Sequence, residues 1–575
     1  MVRKALFPLT CLALGLACGS SPPAAPDPCV RTDLDVLTPN RPLTPRWAFE
    51  PWISKDISTG PDTYDFVDGF RQRDIPIGAV VLDSPWETHY NTYVPNPSRY
   101  PDFAKLVADM HARNVRVVLW TTQMINTTGL DSEPGGDTYP SPSPRYDEGA
   151  ACHYYVDDGA SYFWWKGFGS GVDFASPSAT AWLHRQEDNV LDLGIDGWKL
   201  DFGESYISND PVATAKGPES RQAYSESYYA DFLAYGRKKR GDDFLTMVRA
   251  YDESYGFKGR FFAQPKDAPV AWMGDNRRDW IGLVDALDEM FRSAKAGYAV
   301  LGSDVGGYLD RDDKNLAGPV IPFDLENFHR WIALGALTPF MQLHGRANLT
   351  PWAVPGDNGE TVPIYRFWAK LHHALVPFFA SVTKDAWAKG ASVVVPVGDV
   401  GDYRFALGDA FFVAPLIAPG GTRDVAFPAG ARYVDYWDDT VHDGGTTAAA
   451  YDAVDRMRYP LFLKEGAIVP MEADGGLTVL VVPAAQSAFT LVEEDGSETK
   501  LGASGKTVTI DRALRTTIFR VFAETAPTKV SRDGTALPQS ATRPDFDAST
   551  SSYFVEGKRV WIKIAAGAGA SLTLE

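Results

Sequence analysis

Short apolar runs alternate with amphipathic stretches along the first two thirds of the chain. The runs lie at 46–53, 78–83, 115–120, 196–201, 244–250, 269–275, 298–304 and 337–344. Between them, stretches such as FAKLVADMHARN (103–114) and SATAWLHRQEDNVLDLG (178–194) carry apolar residues at helical spacing. Eight strands separated mostly by helices predict a (β/α)8 TIM barrel with long inserted loops.

Beyond about residue 390 the helical spacing fades, and apolar and polar residues alternate with the period of a strand. Runs such as ASVVVPVGDV and DAFFVAPLIA indicate an all-β domain, and the runs from LTVLVVPA to SLTLE indicate a second β-sandwich. The predicted fold class is therefore α/β, with a catalytic (β/α)8 barrel at 43–385 followed by two C-terminal all-β domains at 386–470 and 471–575.

The first 42 residues have the pattern of an export signal and a tether. Arg3 and Lys4 precede an apolar run that ends at 17, and a Pro-rich stretch covers 19–42. GLAC at 15–18 is similar to a bacterial lipoprotein processing box with Cys18 as the lipidated residue, but Gly15 stands where Leu is usual. A plain secretory signal over 1–18 therefore stays open. Either interpretation predicts a periplasmic or cell-surface protein, and the only membrane attachment expected is that N-terminal anchor.

Composition narrows the classes of ligand. A formal net charge of −19 argues against nucleic acid, whose phosphates would be repelled. An aromatic content of 13%, with 16 Trp and 25 Tyr, suits sugar binding as well as a large core. Cys29 and Cys152 lie outside the signal, and their spacing leaves open whether they pair in an oxidising compartment. Cys and His show no zinc-site spacing, so no metal is expected. The oligomeric state stays undetermined.

Polar or hydrogen-bonding side chains stand at or just past the carboxyl ends of the predicted strands. They are Asp83, Trp120, Asp201, Arg249, Asp275, Asp304 and His344. Because chemistry in a barrel of this kind takes place at that end, these residues are candidates for one site. In the fourth run, period-two alternation places Lys199 on the same face as Asp201. Burying such an ionic face is costly unless the charges are paired, so the alternatives are a polar pocket and an exposed strand with a salt bridge.

Several separated motifs share one family resemblance. GIDGWKLDFGE (194–204), AWMGDN (271–276), GSDVGGY (302–308) and RWIALGALTPFMQLHG (330–345) occur in this order. With them, the chain resembles glycoside hydrolase family 31, the retaining α-glycosidases, over roughly residues 43–470. DAFFVAPLIAPGGTRDVAFPAGARYVDYWDD and YPLFLKEGAIVP are similar to the β-domain that follows the barrel in that family.

The resemblance implies a role for each candidate. It implies Asp201 as the nucleophile and Asp275 as the general acid/base. It implies that Asp83 and His344 bind sugar hydroxyls, with Trp120 and Trp272 as walls of the subsite. It places Arg249 near the nucleophile and gives Asp304 a structural or binding role. Lys199, on the same face as Asp201, is a further candidate for binding the substrate. The implied partner is an oligosaccharide or glycoside, and no cofactor is required.

The residue chemistry agrees with this assignment. A retaining glycosidase needs two carboxyls whose environments push their pKa values apart. Lys199 and Arg249 near Asp201 would favour its carboxylate form. Asp275 has no cation beside it in the sequence, so burial is expected to keep it protonated.

Two departures leave the sugar and the pocket walls open. Gly203 stands where many α-glucosidases have Asn, so α-glucoside, α-xyloside and α-galactoside all remain candidate substrates. A short tether replaces the usual N-terminal β-sandwich, so the insertion at 126–171 is expected to build the walls.

Two alternatives come from other classes. One is a catalytically silent surface glycan-binding lipoprotein, since a fold does not guarantee activity. The other is a metal-dependent hydrolase using Asp201, Glu204 and His344, which nine His and the absence of an H-E-x-x-H spacing disfavour.

Overall fold

The computed structural model describes Met1 and residues 29–253, 259–312, 318–398, 401–473 and 475–575. The predicted export signal, with Cys18, lies outside these residues apart from Met1. Within these ranges, no helix is both long and apolar enough to cross a membrane.

The first domain is the predicted barrel of parallel strands. Its strands are β1 Trp52–Lys55, β2 Ala79–Leu82, β3 Arg116–Thr121, β4 Gly197–Leu200, β5 Leu245–Arg249, β6 Val270–Trp272, β7 Leu301–Gly302 with Asp304–Val305, and β8 Gln342–Leu343. The first part of β7 pairs with β6, and the second part pairs with β8, which returns to β1. The interruption at Ser303 thus falls where the ring closes. Strands such as β2 (AVVL) are buried along their whole length because helices cover them from outside.

Helices surround this ring. They are α1 Gly60–Gln72, α2 Phe103–Ala112, α3 Pro177–Leu191, α4 Arg221–Arg240, α5 Trp280–Lys295, α6 Leu325–Ala336, α7 Thr361–Ala374 and α8 Val376–Lys389. Side-chain caps define several helix starts: Asp102 accepts from the Lys105 amide, and Ser176 accepts from the Ala179 amide ahead of Pro177 at the first turn. The helices predicted at 103–114 and 178–194 are therefore confirmed. Between β5 and β6, the described residues form a small hairpin, Tyr251–Asp252 with Arg260–Phe261.

The insertion after β3 folds as a four-stranded antiparallel sheet of Met124–Leu130, Thr138–Tyr139, Tyr162–Trp164 and Gly167–Gly171. This sheet packs aromatic residues against the end of β3: Trp164 stacks on Trp120 with ring centroids 6.5 Å apart. Cys152, in the same insertion, forms a disulfide with Cys29. The pairing that the sequence left open is thus present.

Residues 31–44 contact the outside of the barrel, although they lie largely within the segment predicted as a tether. Asp35 accepts hydrogen bonds from His184 on α3 and Lys238 on α4. Asn40 donates to the Ala230 carbonyl, and Thr44 donates to the Pro269 carbonyl. Polar side chains of this segment thus form hydrogen bonds to the barrel that its composition does not predict.

Two all-β units follow the barrel. A six-stranded sheet contains Val394–Val397, Arg404–Leu407, Phe411–Val413, Leu461–Lys464, Arg432–Asp435 and Val441–Asp443, and Thr422–Ala426 pairs with Thr447–Asp452. The last unit packs a sheet of Ile468–Ala473, Gly476–Val481, Thr517–Phe522, Arg559–Ile564 and Ser552–Glu556 on one of Ser487–Val492, Glu498–Ser504, Thr507–Ala513, Gly567–Leu574, Val530–Arg532 and Thr535–Ala536. The predicted boundary at 470/471 falls inside the strand Ile468–Ala473, which pairs along its whole length with Gly476–Val481 in the last unit.

Candidate functional site

A polar cavity opens at the carboxyl ends of the barrel strands. Its volume is about 610 Å³, including the part open to solvent at the mouth. It is lined by Asp83, Ser84, Trp120, Ser132, Glu133, Trp165, Lys166, Lys199, Asp201, Phe202, Tyr206, Asp275, Tyr308 and Arg346. A concave site with converging polar groups is the usual form of a small-molecule site.

Asp201 follows β4 and is held by three donors. Trp120 Nε1 donates to Oδ2 at 3.0 Å, while Arg249 Nε and the Phe202 amide donate to Oδ1, each at 2.9 Å. Burial alone would raise the pKa of Asp201, but Arg249, Lys199 and these hydrogen bonds outweigh burial and lower the pKa below its usual value. Asp201 is therefore held as a carboxylate.

Arg249 on β5 contacts three carboxylates at once. Besides Asp201, its Nη2 donates to Asp275 Oδ1 at 2.8 Å, and its Nη1 donates to Asp252 Oδ2. The guanidinium is buried and lies over the Phe202 and Trp272 rings, with its Cζ 4.0 and 4.9 Å from their centroids. No cation is adjacent to Asp275 in the sequence, but parallel pairing of β5 with β4 and β6 brings Arg249 between Asp201 and Asp275 in the structure.

Lys199 does not bond to Asp201 directly but joins Asp83 to His344. Its Nζ is 2.6 Å from Asp83 Oδ2 and 3.1 Å from His344 Nε2. Burial opposes the charge of Lys199, but Asp83, Asp304 and Asp56 together raise its pKa above the usual value. Burial and the neighbouring Lys199 lower the pKa of His344 well below its usual range, so the imidazole is neutral.

The alternation predicted for the fourth strand is confirmed in this arrangement. Trp198 points outward and packs its ring 6.2 Å from Phe232 of α4, while Lys199 points into the barrel. The alternative of an exposed strand is excluded, because all four residues of Gly197–Leu200 are buried.

Four of the seven predicted sugar-binding residues are not part of the cavity lining: Arg249, described above, and Trp272, Asp304 and His344. Trp272 was expected as a wall, but it is fully buried, with Lys199 Nζ 5.4 Å from its ring centroid. Asp304 accepts from Gln342 Nε2 at 2.8 Å, and burial raises its pKa to about 7. His344 reaches the site through Lys199.

The insertion supplies part of the wall, as the sequence predicted. Trp165 and Lys166 form its inner turn, and Lys166 is almost fully buried, with its Nζ 2.8 Å from Asp131 Oδ2 and 3.5 Å from Glu133 Oε2. Tyr308 donates to Glu133 at 3.2 Å, which ties the insertion to the loop after β7. Neither charge pattern nor spacing in the sequence indicated Glu133 or Lys166.

Asp56 was missed, although its position at the end of a strand could have indicated it. Asp56 directly follows β1, just as Asp83 follows β2. It accepts from the Tyr308 hydroxyl at 2.8 Å, and burial followed by the charge of Asp83 raises its pKa well above the usual value. The first strand was placed at 46–53, whereas 46–49 is a 3-10 helix and the strand ends at Lys55. That shift hid Asp56.

The site also bears on the metal alternative. Among the residues that the structure describes, one group of three potential ligands comes together: Asp56, Asp83 and His344. The Lys199 ammonium already lies against two of them and balances their charge. Glu204 instead bonds to Ser225 and Arg260, outside the cavity lining. The set of Asp201, Glu204 and His344 therefore does not assemble.

A parallel eight-stranded barrel with carboxylates and aromatic rings around one polar cavity defines a TIM-barrel protein of the carbohydrate-active type. The sequence matches two family models, "Glycosyl hydrolases family 31 TIM-barrel domain" over residues 41–382 and "Glycosyl hydrolase family 31 C-terminal domain" over residues 377–469. The first match covers more than half of the chain. The chain therefore belongs to glycoside hydrolase family 31.

Individual relatives agree with this membership. Alpha-glucosidase 2 of Bacillus thermoamyloliquefaciens is 25% identical over 456 residues, which are 76% of this chain and 54% of that protein. An alpha-xylosidase of Emericella nidulans is 22% identical over 461 residues, again 76% and 54%. The cycloalternan-forming enzyme from Listeria monocytogenes, solved with a pentasaccharide substrate, superposes with a TM-score of 0.80 at 22% identity, covering 93% of this chain and 55% of that one. The chain thus spans about half the length of these relatives, and the structural likeness shows the fold.

Proposed function

We propose that this protein is an exported, retaining exo-α-glycosidase that releases terminal α-linked sugars of the glucoside or xyloside type. One observation carries the proposal: Asp201 and Asp275 both line the cavity and accept from Nε and Nη2 of the same guanidinium. The Nε and Nη2 atoms of an arginine commonly donate to the two oxygens of a single carboxylate. Because here they donate to two different residues, the carboxyl groups of Asp201 and Asp275 lie close together. The arrangement supports the separation of about 5 Å used by retaining glycosidases rather than the longer one of inverting enzymes.

The proposed cycle has two displacements. Asp201 Oδ attacks the anomeric carbon while Asp275 gives its proton to the leaving glycosidic oxygen, and a glycosyl ester of Asp201 forms. Asp275, now a carboxylate, then takes a proton from water as the water oxygen attacks the anomeric carbon. The ester bond breaks, the Asp201 carboxylate is restored, and the sugar leaves with the α configuration. Arg249 and Trp120 stabilise the charge that returns to Asp201.

The buried half of the cavity supports recognition of a neutral sugar. Lys199 and Asp83 line the cavity and balance each other's charge, and neutral His344 contacts Lys199. Hydroxyl groups can exchange hydrogen bonds with such a set without leaving an uncompensated charge. Trp120 and Trp165 offer ring faces against which the apolar face of a sugar can pack.

The exported state rests on the N-terminal pattern and gains support from the disulfide between Cys29 and Cys152, since such bonds persist in oxidising compartments. Lipidation at Cys18 is the further part of this proposal. Expression of the full chain with metabolic palmitate labelling tests it: label is expected on the wild type and lost in Cys18→Ala. Unlabelled wild type that is released from cells would favour the plain secretory signal.

The catalytic proposal is tested by hydrolysis of 4-nitrophenyl α-glucoside, α-xyloside, α-galactoside and α-sulfoquinovoside, with product configuration followed by NMR. We expect turnover of at least one substrate with the α anomer released first, and at least a thousandfold loss in Asp201→Ala. Asp435→Asn, a buried Asp of the middle domain paired with Arg458, is the matched control for folding. Near wild-type turnover by Asp201→Ala would exclude this mechanism. Binding of a sugar without turnover of any glycoside would favour the glycan-binding alternative.

A further inference from the structure

The contact between Arg249 and Asp275 raises a question about the acid step. A guanidinium that donates to a carboxylate favours its charged form, whereas the proposed cycle needs Asp275 protonated at its start. Some other feature must offset Arg249. Two groups that no part of the proposed mechanism uses, Asp252 and Glu289, lie directly behind Asp275.

Asp252 contacts both the arginine and the backbone next to Asp275. It is 3% exposed, and its Oδ2 accepts from Arg249 Nη1 on the side opposite the two site carboxylates. Gly274, with φ of 67°, precedes Asp275, and a Cβ atom there would meet the Asp252 carboxylate atoms at 2.3 to 2.6 Å. Glycine at 274 thus lets Asp252 pack against the main chain that carries Asp275.

Glu289 on α5 secures the other side of the same turn. Its Oε2 accepts from the side chain of Asn276 at 2.8 Å, and its Oε1 accepts from the Glu253 amide at 3.1 Å. Burial, followed by the charge of Asp252, raises the pKa of Glu289 well above its usual value, so Glu289 is neutral. One side chain therefore fixes Asn276, which follows Asp275, and Glu253, which follows Asp252.

The charges around Asp275 then favour its proton. Among the described residues, the titratable groups that interact with Asp275 or with Arg249 are Asp201, Asp252, Asp304, Tyr206, Tyr229 and His344. Lys199 lies near Asp201 and Asp304. Asp201 and Asp252 together already exceed the single charge of Arg249. A third carboxylate on the same guanidinium would add repulsion, and a like charge nearby disfavours ionisation.

We propose, on the basis of the proposed function, that Asp252 is a positioning residue, held by Glu289 and Gly274, whose negative charge offsets Arg249 and thereby favours the protonated form of Asp275. The carboxylate of Asp252 engages one end of the guanidinium. Arg249 is thus shared among three carboxyl groups, those of Asp201, Asp252 and Asp275. Asp275 can gain and lose its proton in each cycle.

The test is the pH dependence of kcat/KM for Asp252→Asn, which keeps the shape of the side chain and removes its charge. Two α-glycosides of the sugar found in the substrate screen are compared, one with 4-nitrophenol and one with an unactivated alcohol as leaving group. The basic limb of this profile reports the acid of the free enzyme. We expect that limb to move about one pH unit lower in Asp252→Asn, and tenfold slower turnover on the basic side for the alcohol. The 4-nitrophenyl substrate, which needs little protonation, is expected to lose much less.

The control is Asp435→Asn, which removes a buried carboxylate paired with an arginine far from the cavity and should leave both limbs in place. An unmoved basic limb in Asp252→Asn, or an equal fall for both substrates at every pH, would overturn the proposal and leave Asp252 a structural residue. If Asp252→Asn does not fold, Asp252→Ser removes the same charge, and the same shift is expected. Failure of the proposed function itself is distinguishable, because it would show as no hydrolysis by the wild type or as undiminished hydrolysis of the unactivated substrate by Asp275→Ala.

Discussion

Replacing Trp120 by Phe removes one hydrogen bond to Asp201 and leaves most of the surrounding packing. The position of the residue is fixed by its backbone, because Trp120 pairs with Lys199 on β4 and its carbonyl accepts from Trp86 Nε1 at 2.6 Å. The ring is held against Trp164 and Trp165. A phenyl ring can keep part of these contacts, but it cannot donate to Asp201.

The expected magnitude follows from that single bond. A hydrogen bond to a charged group contributes about 1.5–3 kcal/mol, and two of the three donors to Asp201 remain, so the lower end applies. Because the Trp120 donor lowers the pKa of Asp201, its loss raises that pKa by about one unit. The acidic limb of kcat/KM, where Asp201 must be ionised, should therefore move about one unit to higher pH. At the optimum, kcat/KM should fall about tenfold.

The assay is a pH series of initial rates on the best 4-nitrophenyl α-glycoside, with melting temperature recorded for each variant. Trp331→Phe is the matched control, since Trp331 is fully buried and donates to Ser303 at 2.8 Å on the outer side of the barrel. If Trp120→Phe lost activity without any movement of the acidic limb, and to the same extent as the control, the argument from this hydrogen bond would be wrong.

Three further predictions concern buried charges and the disulfide. Glu187 is buried, and burial raises its pKa from 4.5 to about 8, so folding binds a proton and the stability falls as pH rises from 4.5 to 8. Glu187→Gln should therefore raise the melting temperature at pH 8 and leave it unchanged near pH 4. An equal gain at both pH values would refute this. Cys29 and Cys152 are 123 residues apart, and closing such a loop contributes at most about 5 kcal/mol, so a reductant should lower the melting temperature of the wild type but not of a variant with serine at both positions. Lys199→Met leaves the buried Asp83 carboxylate without its ion-pair partner, at a cost of about 3–5 kcal/mol, so activity and stability should both fall. Adding Asp83→Asn should restore the stability but not the activity.

The order of elements could be predicted from the sequence because burial leaves a local signal. The barrel strands are covered by helices on the outside and packed by side chains on the inside, so each one appears in the sequence as a short apolar run. The helices are amphipathic, so their apolar residues recur at the helical period. The same logic located Asp83, Asp201 and Asp275, because a polar residue that ends a buried strand must lie at the barrel mouth. Because the predicted first strand ended at residue 53 rather than at Lys55, Asp56 was not identified as a site residue.

Contacts between distant segments could not be predicted in this way. Nothing local to Glu133 shows that it lines the cavity, since Tyr308 and Arg346, which it contacts, come from the loops after β7 and β8. Nor does the sequence around Asp275 contain Arg249, which reaches it only because β5 lies beside β6.

By itself, the sequence determined the barrel, the β domains, the family and the side of the barrel where the carboxylates meet, because each depends on periodicity or on short motifs read along the chain. Tertiary structure alone decided how the charges are shared. Arg249 divides its donors among Asp201, Asp252 and Asp275, and Lys199 bonds to Asp83 rather than to its sequence neighbour. The protonation state of a buried carboxyl depends on charges within a few ångströms, and those neighbours are set by the pairing of strands that lie far apart in the chain.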